Sequence, residues 1–406
     1  MSSRLEQLIE EMCPDGVEYV EMGKVCHVTS GGTPNRKDGK YWESGTIKWL
    51  GSTVCKNRKF VDEITDYITE LGLKESSAKL LRPGTTLIAM VGATIGKVAY
   101  LDFEATTNQN IAAIYPIHER ELDTSFLYYA CTNLYSTFED LISGGKLGIA
   151  NLSFIRALLI PIPPLPIQHE IVRILDNFTE LTAELTAELT ARKKQYEHYR
   201  DELLTFGDEV PVIKLGDLCE KVNNMRWNDT DENFKYIDLT SVSCETNQIE
   251  QTSLINSGNA PSRAQQIVQG NDVLFATTRP TMMRFCQVSI DYDNQICSTG
   301  YCVLRANDRR VLPRFLYYLV STSEFYDYVE RNQAGASYPA ISDKSIKNYR
   351  AKVPNIDVQK RVVEILDYFD RLTADIVAGL PAEISARQQQ YEYYRDKLLT
   401  FKNAEV

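Results

Sequence analysis

Nine cysteines, at 13, 26, 55, 131, 219, 244, 286, 297 and 302, and four histidines are the side chains most able to hold a metal. Their spacing does not suit it: there is no CxxC, HxxxH or HExxH, and the nearest approach is Cys297 with Cys302. Thiols in a packed interior, with no metal site, are the expectation. Gly92–Lys97 (GATIGK) looks like a phosphate-binding loop but is one residue short of GxxxxGK, and Val98 stands where Ser or Thr would hold magnesium. The chain also lacks GxGxxG, GxSxG and the acidic-Pro-Pro-aromatic tetrapeptide used on flipped bases by amino-methyltransferases. Its scattered carboxylates read as solvated helix surface, so no catalytic centre is expected.

Polyanion contact is the chemistry the spacing does support. Net charge is −11, which argues against a simple nucleic-acid binder, yet the charge is unevenly spread. Between Gly31 and Phe60 seven bases (Arg36, Lys37, Lys40, Lys48, Lys56, Arg58, Lys59) face two acids (Asp38, Glu43), and an acidic stretch follows at Asp62–Glu75. The opening SGGTPNRKDGKYW, with Thr33 inside it, marks a loop whose amides, cations and rings can meet phosphates and base edges. Counterparts further on are Arg226, Arg263, and Arg279 with Arg284 in the acid-free run 276–285. Two small-residue loops, Ser143–Asn151 and Gln333–Ile341, present Lys146 and Tyr338. DNA contact is one reading of these loops; solvated surface and tight turns are the other.

The elements that position these loops come from a repeat. QHEIVRILDNF (168–178) returns as QKRVVEILDYF (359–369), and ARKKQYEHYRDELLTF (191–206) as ARQQQYEYYRDKLLTF (386–401). The second copy carries four extra residues, Ala378–Pro381 (AGLP). Upstream, Val17–Cys26 pairs with Val210–Cys219 and Ser125–Tyr129 with Arg314–Tyr318. The layout is a short N-terminal helix (1–15), a variable domain (16–166), a similar helical segment (167–206), a second variable domain (207–356) and a second helical segment (357–406).

Apolar residues from Ile171 to Leu203 recur every three or four positions, which makes the similar segments helices. From Gln168 to Thr205 such a helix is ~57 Å long at 1.5 Å per residue. It needs a partner of its own length, and the second copy, running antiparallel, supplies one. Pro166 suits a first helical turn, Asp357 a cap. Pro381 is expected to break or kink the second helix near Val377. Tandem LTAE units at Leu181–Glu184 and Leu185–Glu188 read as a spacer whose length changes by ~6 Å per unit.

The variable domains read as mixed α and β. Strands are predicted at 85–91, 97–101, 111–115, 272–277, 285–290 and 300–304, and helices at 124–134 and 312–331. The fold class is α+β: two mixed domains separated by two long antiparallel coiled-coil helices, with pseudo-two-fold internal symmetry. No stretch is apolar enough to span a bilayer, since the longest (ALLIPIPPLPI, 157–167) holds four prolines. The acidic N-terminus is not a signal peptide, so a cytoplasmic location is expected.

Together the duplicated layout, the IPIPPLPIQHEIVRILDNF and VPNIDVQKRVVEILDYF junctions, the LTAE units, both YxxYRDxLL endings, the SGGTP loop and PGTTLIAMVGATIGKVA resemble the specificity subunits of type I restriction-modification systems. That resemblance spans nearly the whole chain. It implies two target-recognition domains, each reading half of a bipartite DNA sequence across a gap set by the helices. It also implies a non-catalytic chain that binds no cofactor of its own. Two modification subunits using S-adenosylmethionine would dock on the helices, and two restriction subunits would add ATP- and magnesium-dependent translocation and cleavage. Phe178, Tyr196, Tyr199, Tyr391 and Tyr394 are then docking anchors, or else they belong to the core of the helix pair. Two rival classes are a self-sufficient nuclease or methyltransferase, which would turn over DNA alone, and a scaffold for partners other than nucleic acid, which would not retain DNA on a filter.

Overall fold

A computed structural model describes residues 4–143 and 150–404. Contacts divide the chain into two units, Met1–Thr186 with Pro381–Val406, and Ala187–Leu380. The divisions fall inside the two long helices, Leu165–Leu203 and Ile356–Leu398. Each unit thus holds the start of one long helix and the end of the other.

In the first unit a sheet of four antiparallel strands runs in the order Cys26–Ser30, Ile111–Pro116, Thr85–Ala89, Val98–Leu101. Thr85–Ala89 is buried at every residue, which is why TTLIA reads as a continuous run without alternation. Ile47–Leu50 lies between Asp66–Ile68 and Thr106–Thr107, the last pairing parallel. Tyr19–Glu21 pairs with Leu159–Pro161, so the chain entering the domain lies against the chain leaving it.

The second unit repeats this plan with different loops. Cys219–Glu220, Tyr301–Ala306, Val273–Ala276 and Phe285–Gln287 form the corresponding antiparallel sheet. Phe234–Ile237 pairs parallel with Ile296–Ser298, and Val212–Lys214 pairs with Arg350–Lys352. An added strand, Ala264–Ile267, joins its smaller sheet. A buried bidentate pair, Arg305 with Asp272 at 2.9 and 2.8 Å, locks this unit's core.

Three local expectations change. Residues 312–331 form two helices, Pro313–Leu319 and Ser323–Asn332, because Thr322 caps the second by accepting from Phe325 N. The second long helix starts at Ile356, so Asp357 lies within its first turn; Asn355 accepts from Val358 N in its place. That helix also runs through Pro381 without a break. Proline removes a single backbone hydrogen bond, at about 3 kcal/mol in a helix interior, and a helix anchored at both ends tolerates it.

Each long helix is fastened to its domain by one buried glutamine. Gln168 accepts from Asp123 N at 2.8 Å and donates to the carbonyls of Glu121 and Pro163. Gln359 accepts from Leu312 N at 2.9 Å and donates to the carbonyls of Arg310 and Pro354. Within the first unit Tyr19 bridges toward Phe401 while Phe178 stacks on Tyr394, so the helix segments run antiparallel there. In the second unit Lys352 donates to Phe206 O while Phe369 stacks on Tyr199, and the local sense is the same. Among the described residues no helix is long and apolar enough to cross a membrane.

Candidate nucleic-acid interface

The register brings several connections to one end of each main sheet. In the first unit this end carries Ser30, Ile111, Ala89 and Val98. Gly32 N donates to Thr107 O at 2.8 Å, Thr33 Oγ1 to Gln109 Oε1 at 2.7 Å, Met90 N to Asn110 O at 2.8 Å and Ala150 N to Met90 O at 3.0 Å. The SGGTP loop, the 107–110 turn, the 90–97 hairpin and the chain re-entering at Ala150 therefore form one rim. The glutamine clamp acts on the connection leaving the opposite end of strand Ile111–Pro116.

Arg36 is the best-seated cation of this rim. Its guanidinium lies 3.7 Å from the Trp42 centroid and 4.6 Å from that of Trp49, and it pairs with Asp66. The two indoles meet edge-on at 5.4 Å and are fixed by donation to Asn35 O and Gly32 O. The acidic stretch that follows the basic one in sequence folds back onto it. Lys40 lies between Asp38 and Glu75, Lys56 between Asp62 and Glu63 at 3.0 and 3.2 Å, and Arg58 meets Asp62 at 3.1 Å. The Lys56 hydrogen bond holds the Asp62 carboxyl below its usual range and raises the lysine. Lys37 is exposed and makes no ion pair among the described residues. Lys146 lies outside the described residues.

Lys59 is a correction. It is 7% exposed, its ammonium pairs with Asp176 of the first long helix, and the rings of Phe60, Tyr100 and Tyr129 surround it. Residues 57–59 run beside strand Val98–Leu101, with Asn57 N donating to Val98 O and Tyr100 N to Lys59 O, and this turns Lys59 inward. It anchors the domain to the helix and is not available to DNA.

The second unit builds a similar rim from more distant pieces. Met225 N donates to Gln265 O and Trp227 Nε1 to Ala264 O; Thr299 N donates to Arg263 O and Thr277 N to Gly300 O. Ile341 N donates to Thr277 O and Arg279 N to Pro339 O. These bonds bring exposed Arg226, Arg263, Arg279 and Tyr338 to one end of the sheet. Arg279 lies 5.0 Å over the Tyr338 ring, and none of the three arginines makes an ion pair among the described residues. Arg284 differs, since it is half-buried with its guanidinium donating to Leu239 O and to Cys244 Sγ. It ties the 239–244 loop in place and is another expected contact that the structure turns inward.

The five aromatic anchors are largely spent inside the chain. Phe178 stacks on Tyr394 at 5.4 Å and Phe369 on Tyr199 at 6.0 Å. Tyr196 donates to Asp370 and Tyr391 packs against the first unit's core, where burial pushes its phenol up to about 12. Only Tyr199 and Tyr394 keep exposed faces. Residues not singled out in the sequence complete these joints: Asp176 with Tyr129 in the first unit, and Asp367 and Asp370 with Arg314 and Tyr318 in the second. Identity between the two copies at Gln168/Gln359 and Asp176/Asp367, polar residues inside apolar helical runs, was the available signal.

GATIGK is a hairpin turn leading into strand Val98–Leu101, with no following helix whose amides could hold a phosphate. Among the described residues no three His, Cys, Asp or Glu side chains come together as a metal site. All nine cysteines are free.

Comparison with known proteins places these rims in context. The family described as type I restriction modification DNA specificity domain matches twice, over residues 14–192 and 207–386. The specificity subunit of the type I restriction enzyme EcoR124I/EcoR124II of Escherichia coli is 31% identical over 332 residues, 77% of this chain and 79% of that one. A putative type I restriction enzyme specificity subunit of Haemophilus influenzae is 31% identical over 70% of this chain and 74% of its own. The fold matches a chain from a structure described as the basis of complex assembly and conformational transition of the type I R-M system, with TM-score 0.61 and 15% identity over 96% of this chain and 98% of that one. It also matches the type I restriction-modification S subunit of M. genitalium, with TM-score 0.52 and 16% identity over 95% and 96%.

Proposed function

Since the chain belongs to the type I restriction modification DNA specificity family, we propose that it is the subunit through which such a complex reads a bipartite DNA target. Each domain, 16–166 and 207–356, lays its rim in a major groove and reads one half-site. The helical segments 167–206 and 357–406 set the gap and dock two modification subunits. The chain is non-catalytic. S-adenosylmethionine belongs to the modification subunits, which extrude and methylate adenine, while ATP and magnesium belong to two restriction subunits. The assembly works in the cytoplasm.

The observation that carries this reading is the doubled rim, where loops remote in sequence converge at one end of each sheet and present an arginine against an aromatic ring: Arg36 on Trp42 and Arg279 on Tyr338. The carboxylates facing the first rim do not oppose it. Exposed ion pairs contribute only about 0.2–1 kcal/mol each, so DNA phosphates can replace Asp62, Asp66 and Glu75 as partners. Until then those acids keep the loop folded and discourage non-specific polyanions. An overall charge of −11 is consistent with partner subunits supplying much of the phosphate neutralisation.

The test is adenine-methylation mapping by single-molecule sequencing in cells carrying this chain with its modification subunit. A two-part motif with a fixed gap is expected. Methylation without such a motif, or none that depends on this chain, would overturn the proposal.

A further inference from the structure

The two rims share a hairpin whose tip differs in one respect. In the first unit, residues 90–97 contain a short helical turn, Gly92–Thr94, with Gly92 and Gly96 both at φ +76°. In the second unit, residues 277–284 contain the turn Pro280–Met282, with Arg279 and Met283 both at φ 49°. The left-handed positions are four residues apart in each copy and hold the same places in the hairpin, counted from the matching bonds Ala89 N to Lys97 O and Ala276 N to Arg284 O. They are occupied by glycine in one and by L side chains in the other, where that backbone is disfavoured. Such a conformation persists only when its surroundings impose it. Here Arg279 N donates to Pro339 O at 2.7 Å, Pro280 is buried, and Thr278 bridges Ala340.

That constraint aims one side chain. The Arg279 guanidinium sits 5.0 Å over the ring of Tyr338, which is 71% exposed, and makes no ion pair among the described residues. Lys40, Lys56 and Arg58, by contrast, are paired with exposed carboxylates, a state that suits exchange onto phosphates. A phosphate contact tolerates a mobile side chain. A bidentate base contact requires the planar fork of arginine held in one orientation.

We propose that Arg279 is the base-reading residue of the second unit, donating to O6 and N7 of a guanine in that unit's half-site, with Tyr338 as the platform that fixes its plane. This rests on the reading of the rims as DNA-facing. With glycine at the corresponding tip, the first unit must read its half-site from elsewhere on its rim.

Arg279→Gly copies the residue the first unit uses at this place, so it relieves the left-handed backbone instead of breaking the fold. In the complex with the modification subunits, thermal melting should show stability unchanged or raised. Methylation mapping should show one guanine position of one half-site relaxed, with discrimination there falling roughly ten- to a hundredfold. The other half-site and the gap should be unchanged. Tyr338→Ala should relax the same position to a smaller degree. An unaltered motif, or uniform weakening at all sites, overturns the inference. If Lys37→Ala and Arg263→Ala also leave DNA affinity untouched, it is the DNA-facing reading of the rims that fails.

Discussion

Phe178 of the first long helix stacks on Tyr394 of the second, with centroids 5.4 Å apart and planes inclined by 24°, and the corresponding residues of the repeat form the same pair as Phe369 with Tyr199. These stacks sit where the two helices meet inside each unit. Truncating either ring of one pair to alanine should cost about 1–3 kcal/mol, and a double-mutant cycle should return a coupling of about 0.5–1.5 kcal/mol. Chemical denaturation measures both. Additive losses would mean that the rings do not bear on each other.

Lys59 and Lys37 separate anchoring from reading. Lys59→Ala removes the buried partner of Asp176 and should lower stability by about 1–3 kcal/mol, below the full cost of breaking a buried pair because Asp176 is partly solvated. Lys37→Ala should leave stability within about 0.5 kcal/mol. It should weaken DNA binding and lessen its salt dependence. Urea melts and salt-titrated filter binding of the assembled complex would show the opposite pattern if these roles were exchanged.

Gln168 and Gln359 each close one domain onto one helix. Replacing either by alanine strands a buried backbone N–H and two carbonyls, for a loss of about 2–4 kcal/mol. The loss should appear as earlier protease cleavage near residues 121–123 for Gln168→Ala and near 310–312 for Gln359→Ala. Cleavage elsewhere first would refute the clamp.

Deleting Leu181–Glu184 removes ~6 Å of helix, close to two base-pair steps of ~3.4 Å. Methylation mapping should report a shorter gap with both half-sites intact. Changed half-sites with an unchanged gap would show that this segment is not a ruler.

Thiol accessibility provides a check on packing. Burial pushes the thiols of Cys26, Cys55 and Cys286 up to about 12, and those of Cys131 and Cys297 upward as well. Only Cys219 and Cys244 are half-exposed, and burial also raises Cys219 to about 12. Native-state alkylation followed by mass spectrometry should therefore label Cys244 first. Early labelling of Cys55 or Cys131 would contradict the core described here.

Much of this protein was determined locally, in ways a reader of the sequence can follow. The helices follow from apolar residues three and four apart, and the central strand Thr85–Ala89 from two β-branched threonines running into the apolar stretch that starts at Leu87. The repeat follows from near-identity of the helical segments, which must keep the same stacking and clamp residues in both copies. An excess of bases between Gly31 and Phe60, opening on a glycine-rich loop, was likewise legible, and it left DNA contact and solvated surface as the two readings. What local order did not determine was the assignment of each charge. Lys59 and Lys56 are three residues apart, yet one is buried against Asp176 and the other lies at the surface between Asp62 and Glu63, because the chain between them runs along an edge strand and turns one side chain inward. Arg284 likewise turns in while Arg279, on the same hairpin, turns out onto Tyr338 from 59 residues later in the chain. Charge and loop propensity depend on residue type and near neighbours. The partner a charged group finally meets depends on burial and strand register, which only the closed tertiary structure decides.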